Sequence, residues 1–130
     1  PISIEDQIFL KDKKISAILD LRNEFDFKTT KPEKHAKNSL SFNYINLGLP
    51  DHNSKRLATK DEIEFVLSTL EEILKNGSVF MHCHAAVERS PLISIAFLKK
   101  NKGLSLIQAY EYVKQQNKTT SVLMEQLLKI

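Results

Sequence analysis

The stretch that decides the fold is "VFMHCHAAVERSP", residues 79–91. Val79-Phe80-Met81 reads as a short apolar strand that ends at His82-Cys83. Positions 84–88 follow without a glycine, then Arg89, Ser90 and Pro91, and then the apolar run "LISIAFLKK". Proline is favoured in the first turn of a helix, where its missing N–H costs nothing. The stretch is therefore strand, loop, helix, with a thiol at one end of the loop and a guanidinium at the other. Cys83 is the only cysteine in the chain. A loop running into a helix start presents several unpaired N–H groups, and the helix dipole adds partial positive charge. Such a place binds an oxyanion. A thiolate on its floor is stabilised by the same groups, and the planar fork of Arg89 can hold two phosphate oxygens at once.

Working outward, the order of elements is α/β. "ISAILDL", residues 15–21, reads as a buried strand, and residues 2–10 are a weaker strand candidate. Residues 26–41 are polar, with lysines at 28, 31, 34 and 37, and read as a solvated loop with a second reading as a steering surface for acidic substrates. "FNYINL", residues 42–47, alternates as a half-buried strand does. "GLPDHNSKRL" is a loop. Thr59 to Glu62 has capping-box spacing, and the helix it opens carries Ile63, Val66, Leu67, Leu70, Ile73 and Leu74 on one face. Gly77 stands where that helix should stop, and Gly103 where the helix after Pro91 should stop. The post-Pro91 helix is apolar nearly all round and should be buried. Ser105 to Gln108 is a second capping box, opening a helix with Leu106, Ala109, Tyr110 and Val113 inward, and a last helix is expected over Val122 to Leu128. Asp20-Leu21-Arg22 should make local ion pairs.

Composition agrees with one domain over residues 1–130. The chain has a mass of 14.9 kDa, 42% hydrophobic and 27% charged residues. A net charge of +3 and a pI near 9.0 do not by themselves argue for nucleic-acid binding, though they suit an anionic ligand. One cysteine excludes an internal disulfide framework and favours a reducing compartment, the cytoplasm. The longest apolar run is too short to span a bilayer.

"HCHAAVERSP" resembles the signature loop of the cysteine-dependent protein tyrosine phosphatase superfamily, His-Cys, five residues, Arg, then Ser or Thr. The Ser-Pro ending and the small size look most like the dual-specificity branch. The resemblance implies a single α/β domain, a central, mostly parallel sheet flanked by helices, with this loop at the carboxyl edge of the sheet. It implies hydrolysis of phosphomonoesters without metal or cofactor, through a cysteinyl-phosphate. The implied substrate is a phosphorylated protein carrying phosphotyrosine, or also phosphoserine and phosphothreonine; related branches act on lipid, glycan or RNA phosphates. No nucleic-acid or membrane partner is expected, and the domain should act as a monomer.

Residue by residue, Cys83 matches the nucleophile, Arg89 the phosphate clamp, and Ser90 the hydroxyl that assists departure of the thiolate. His82 matches the histidine that holds the thiolate's surroundings. The backbone from His84 through Ala85, Ala86, Val87 and Glu88 to Arg89 matches the phosphate cradle. The family's general acid sits on a separate upstream loop, where this chain has Asp51 in "GLPDHN". Asp61 is the nearest competitor, but it lies inside a capping box. A metal site built from His52, His82, Cys83 and His84 is disfavoured, because alternate residues at a strand end point apart.

Two positions depart from the family pattern. Ala86 stands where glycine is usual, and Glu88 puts a negative charge beside the anion site. They support a second reading, a catalytically impaired phosphate-binding or interaction module. A third, a sulfurtransferase-like cysteine loop, would leave Asp51 and Ser90 without a role.

Overall fold

The strand over Ile15–Asp20, β1, is buried along most of its length, and Ile18 and Leu19 have no exposed surface. In the computed structural model, which describes residues 15–23, 43–50, 54, 56–83 and 88–130, β1 is the middle of a three-stranded parallel sheet. β2 is Asn43–Asn46 and β3 is Ser78–His82, in the order β2-β1-β3. A central parallel strand is covered on both faces, which is why "ISAILD" is a nearly continuous apolar run rather than an alternating one. The register puts Asp20 opposite Asn46 on one side and opposite His82 on the other, so all three strands end at the same level. The expected strand at 2–10 and the lysine-bearing loop at 26–41 lie outside the described residues.

The chain divides into two compact units. The first draws its described residues from 15–23, 43–48 and 69–83, and it holds the sheet. Backbone bonds extend the pairing one residue past the strands: Leu21 N–H donates to the His82 carbonyl at 2.8 Å, and Leu47 N–H to the Asp20 carbonyl at 2.9 Å. The exits of β1 and β2 then run so close that a Cβ on Gly48 would lie 3.1 Å from the Arg22 carbonyl oxygen and the Asn23 Cα. Glycine permits that approach. Gly77, before β3, has φ +142°, and a Cβ there would meet the Ser16 Oγ at 2.7 Å.

Helix α1, Lys60–Leu74, runs through the division between the units. Its capping box closes as the spacing predicts: Glu62 N–H donates to the Thr59 Oγ1 at 3.1 Å, and Thr59 N–H to the Glu62 Oε1 at 2.9 Å. Ile63, Val66, Leu67, Leu70 and Ile73 form its buried stripe, whereas Leu74, expected on that face, is 37% exposed at the fraying end. Truncating a buried leucine in such a stripe costs about 2–5 kcal/mol.

The second unit takes 49–68 and 85–130, so far as these are described. It contains α2, Arg89–Asn101, α3, Leu106–Gln116, and α4, Met124–Leu127. α2 is buried from Arg89 through Ile93 and again at Ile95 and Ala96, then surfaces at its lysine-bearing end. Gly103 follows it at φ +67°, the left-handed position that suits glycine after a helix. On α3 the inward face is narrower than its pattern suggests: Ala109 and Val113 are buried, while Leu106 and Tyr110 are half-buried. The last helix is a single turn, shorter than Val122 to Leu128. It is anchored by Gln126, whose buried amide donates to the Ala58 carbonyl at 2.9 Å and accepts from the Ala58 N–H at 2.8 Å. No helix among the described residues is long and apolar enough to cross a membrane.

Candidate active site

His82 and Cys83 close β3 at the carboxyl edge of the sheet, the edge where parallel α/β sheets present their ligands. Cys83 is a free thiol with only 8% of its surface exposed. His82 is 16% exposed, and its ring stacks on Phe80 two residues back, with centroids 5.3 Å apart and planes at 18°. Burial pushes the His82 imidazole below its ordinary value, and the charge of Arg22 adds to this; the carboxylate of Asp20 and a hydrogen bond with the Cys83 backbone oppose it.

The polar groups behind these two residues come from the ends of β1 and β2. Asp20 has no exposed surface and Arg22 is 3% exposed. Two buried charges are tolerable only when paired and hydrogen-bonded, and these form an ion pair bridged by several hydrogen bonds. The Arg22 guanidinium forks onto the carboxylate, Nε to Oδ1 at 3.0 Å and the terminal nitrogen to Oδ2 at 2.8 Å. The Arg22 backbone N–H donates to Oδ1 at 3.0 Å, and the Tyr44 hydroxyl donates to Oδ2. Burial pushes the Asp20 carboxyl up, but the bonds from Arg22 and Tyr44, with the charge of His82, outweigh it and hold the group at about 2. Asn46 ties the same corner together, its amide donating to the carbonyls of Asp20 and Arg22 at 2.9 Å each. The ion pair expected of "DLR" is therefore present. Tyr44 and Asn46 were not legible as members of the site. The signal available was weak: two polar residues on one face of a strand whose pairing partner is unknown from sequence.

In the second unit, Arg89 is the first residue of α2 and is 4% exposed; Ser90 follows at 9%. Pro91 sits in the first turn, as expected. The residue before the helix, Glu88, is half-buried and its side chain makes no capping bond. Its backbone, at φ −130° and ψ −46°, departs from the extended geometry of an ordinary N-cap. No acidic side chain lies in the first turn. Ser90 offers its carbonyl to the Ser94 hydroxyl at 2.9 Å. Of the residues expected at the site, Asp51, His84, Ala85, Ala86 and Val87 lie outside the described residues, as does His52.

Taken singly, a buried thiol that follows a strand can attack phosphorus, and a buried arginine that opens a helix can grip an oxyanion. Comparison with known proteins points the same way. Residues 3–130 match the family model described as "Dual specificity phosphatase, catalytic domain". Human Dual specificity protein phosphatase 6 is 29% identical over 127 residues, covering 93% of this chain and 33% of that protein. Human Dual specificity protein phosphatase 9 is 30% identical over 129 residues, with the same two shares. The chain thus spans about a third of the length of these relatives. The crystal structure of human tyrosine phosphatase-like serine/threonine/tyrosine-interacting protein superposes with a TM-score of 0.80 over 98% of this chain and 82% of that one, at 18% identity, a likeness of fold. The α/β fold with its parallel sheet is the phosphatase fold, and the chain belongs to the dual specificity phosphatase catalytic domain family.

Proposed function

We propose that this domain hydrolyses phosphomonoesters on proteins, phosphotyrosine together with phosphoserine and phosphothreonine, through a phosphate ester of Cys83. The Cys83 thiolate attacks phosphorus, the bond to the leaving oxygen breaks, and Asp51 delivers its proton to that oxygen. Water then attacks the cysteinyl-phosphate, giving its proton back to Asp51, and the phosphorus–sulfur bond breaks to release inorganic phosphate and the thiolate, whose departure Ser90 assists. The backbone from His84 to Arg89 and the Arg89 fork hold the equatorial oxygens in both steps. Each proton and electron pair is accounted for by the chain, the substrate and water, so the scheme calls on no metal.

The observation that carries this reading is the spacing, six positions in sequence, between a buried free thiol that follows β3 and a buried arginine that opens α2, a start the Glu88 side chain does not cap. A guanidinium in that position is costly unless it serves an anion or a fixed partner. The family membership supports the same chemistry. A thiolate nucleophile needs reducing surroundings, which favours the cytoplasm. The test is turnover of an aryl phosphate by wild type and Cys83→Ser, with vanadate binding measured alongside. Turnover lost and vanadate binding retained is the expected result. Turnover above a few per cent of wild type in the serine variant contradicts it.

A further inference from the structure

One nitrogen of the residue before the thiol has no hydrogen-bond partner. His82 Nε2 is buried without a hydrogen bond. Across the β1–β3 pair, where Asp20 and His82 stand opposite each other, it faces the Asp20 Oδ1 at 3.9 Å. That gap is too wide for a hydrogen bond. The ring's bond with the Cys83 backbone favours the protonated imidazole, so the ring is the donor there, and with Nε2 unpartnered the donor is Nδ1. A neutral ring with its proton on Nδ1 turns a lone pair toward the carboxylate. Only a second proton, on Nε2, gives Asp20 something to accept.

The carboxylate cannot simply move away. Arg22 holds it through three hydrogen bonds, two from the guanidinium and one from the backbone, and Tyr44 adds a fourth. Around the ring, the charged and titratable groups among the described residues are Asp20 and Arg22 at the end of β1 and Tyr44 of β2, which reaches it through Asp20. Phe80 on its own strand stacks on it. The ring can therefore close the gap by tilting toward β1, and the Cys83 backbone bonded to it must follow or break the bond.

We propose that Asp20, fixed by Arg22 and Tyr44, is a positioning residue for Cys83 acting through His82: a proton on His82 Nε2 draws the imidazole to Asp20 and resets the backbone beneath the nucleophile. The consequence for catalysis rests on the reading of Cys83 given above; the Asp20–His82 contact itself does not. Asp20 thereby opposes the two influences that keep the ring neutral, burial and Arg22.

The experiment is a pH titration of the His82 ring nitrogens by 15N NMR in the intact chain without substrate, on wild type, Asp20→Asn and Tyr44→Phe, paired with the pH profile of catalytic efficiency on one aryl phosphate. In wild type the neutral ring carries its proton on Nδ1, and acidification protonates Nε2. In Asp20→Asn the midpoint moves to lower pH, because the attracting charge is gone. In Tyr44→Phe it moves to higher pH, because the carboxylate has one donor fewer to share it with. Opposite shifts from two changes on one side chain's surroundings are not what a merely structural role gives. The acid side of the efficiency profile is expected to move with the NMR midpoint in both variants. If Asp20→Asn does not fold, the Tyr44→Phe shift and the wild-type tautomer still decide. A neutral ring protonated on Nε2, or a midpoint indifferent to the variants, overturns the pairing. A midpoint that moves while the efficiency profile stays fixed overturns the positioning role. A chain that turns over no aryl phosphate but shows the two NMR shifts overturns the proposed function and leaves the Asp20–His82 contact standing.

Discussion

Three helices in this chain begin in two different ways. α1 and α3 close their own ends: Thr59 with Glu62, and Ser105 with Gln108, exchange reciprocal hydrogen bonds between side chain and backbone. Ser105 has the extended backbone of an ordinary cap, at φ −67° and ψ 164°. α2 begins at Arg89 with no side-chain cap, no acid in its first turn, and a preceding residue at ψ −46°. The first two starts are stabilised for folding alone. The third takes no cap from the Glu88 side chain, and in the proposed reaction its N–H groups and dipole serve phosphate. On the proposed reaction, capping, worth about 1 kcal/mol per helix, is withheld where phosphate is to bind.

The largest effect is expected at the start of α2. Arg89→Lys should lower kcat/KM by about 100-fold or more, the scale of losing a preorganised oxyanion donor, because an ammonium cannot reproduce the two-point clamp. Near-normal kinetics on an aryl phosphate would remove the ligand from the argument. At the closed ends the expected effects are smaller and of another kind. Thr59→Ala and Ser105→Ala should each cost about 1 kcal/mol in urea unfolding and leave turnover unchanged. A kinetic defect in either would show that all three starts serve the reaction.

Acid should expose the closed start of α1 in its own way. A bond from the Arg56 guanidinium comes first among the causes that hold the Glu62 carboxyl at about 2, opposed by burial and aided by the Thr59 N–H and its hydroxyl partner. A carboxyl depressed from 4.5 to about 2 contributes stability that is complete above pH 4.5 and is lost as pH falls through about 2. Glu62→Gln should therefore flatten the fall of stability between those limits, measured as unfolding midpoint against pH, and an unchanged slope would count against the capping box as an electrostatic device. The smallest effect is expected at Glu88. Aspartate is a better cap than glutamate, yet the backbone there is not that of a cap, so Glu88→Asp should change stability by less than about 0.5 kcal/mol. A gain near 1 kcal/mol would mean that the start of α2 is open only for want of the right side chain.

The features legible in the sequence are those with short-range signals. Both capping boxes, the helix stops at Gly77 and Gly103, the apolar run of β1, the strand before Cys83 and the helix start at Arg89 each lie within a few residues, and each took the structure expected of it. What escaped depends on which distant segments meet. Gln126 anchors to Ala58 across 68 positions, and Tyr44 reaches Asp20 across 24. No local pattern announces either, because both follow from strand order and helix docking. The overlong last helix and the overcounted inward faces of α1 and α3 have the same origin. Periodicity shows which face is apolar, not how far the covering neighbour extends, so Leu74, Leu106 and Tyr110 were assigned more burial than they have.

In the proposed reaction Cys83 carries the phosphate during turnover. This is tested most directly by acid-quenching wild-type protein during steady-state hydrolysis of an aryl phosphate and mapping the phosphorylated peptide by mass spectrometry. Phosphate is expected on the Cys83 sulfur, accumulating further in Asp51→Asn, where the second step loses its base. Steady turnover with Cys83 unmodified in both proteins would contradict it.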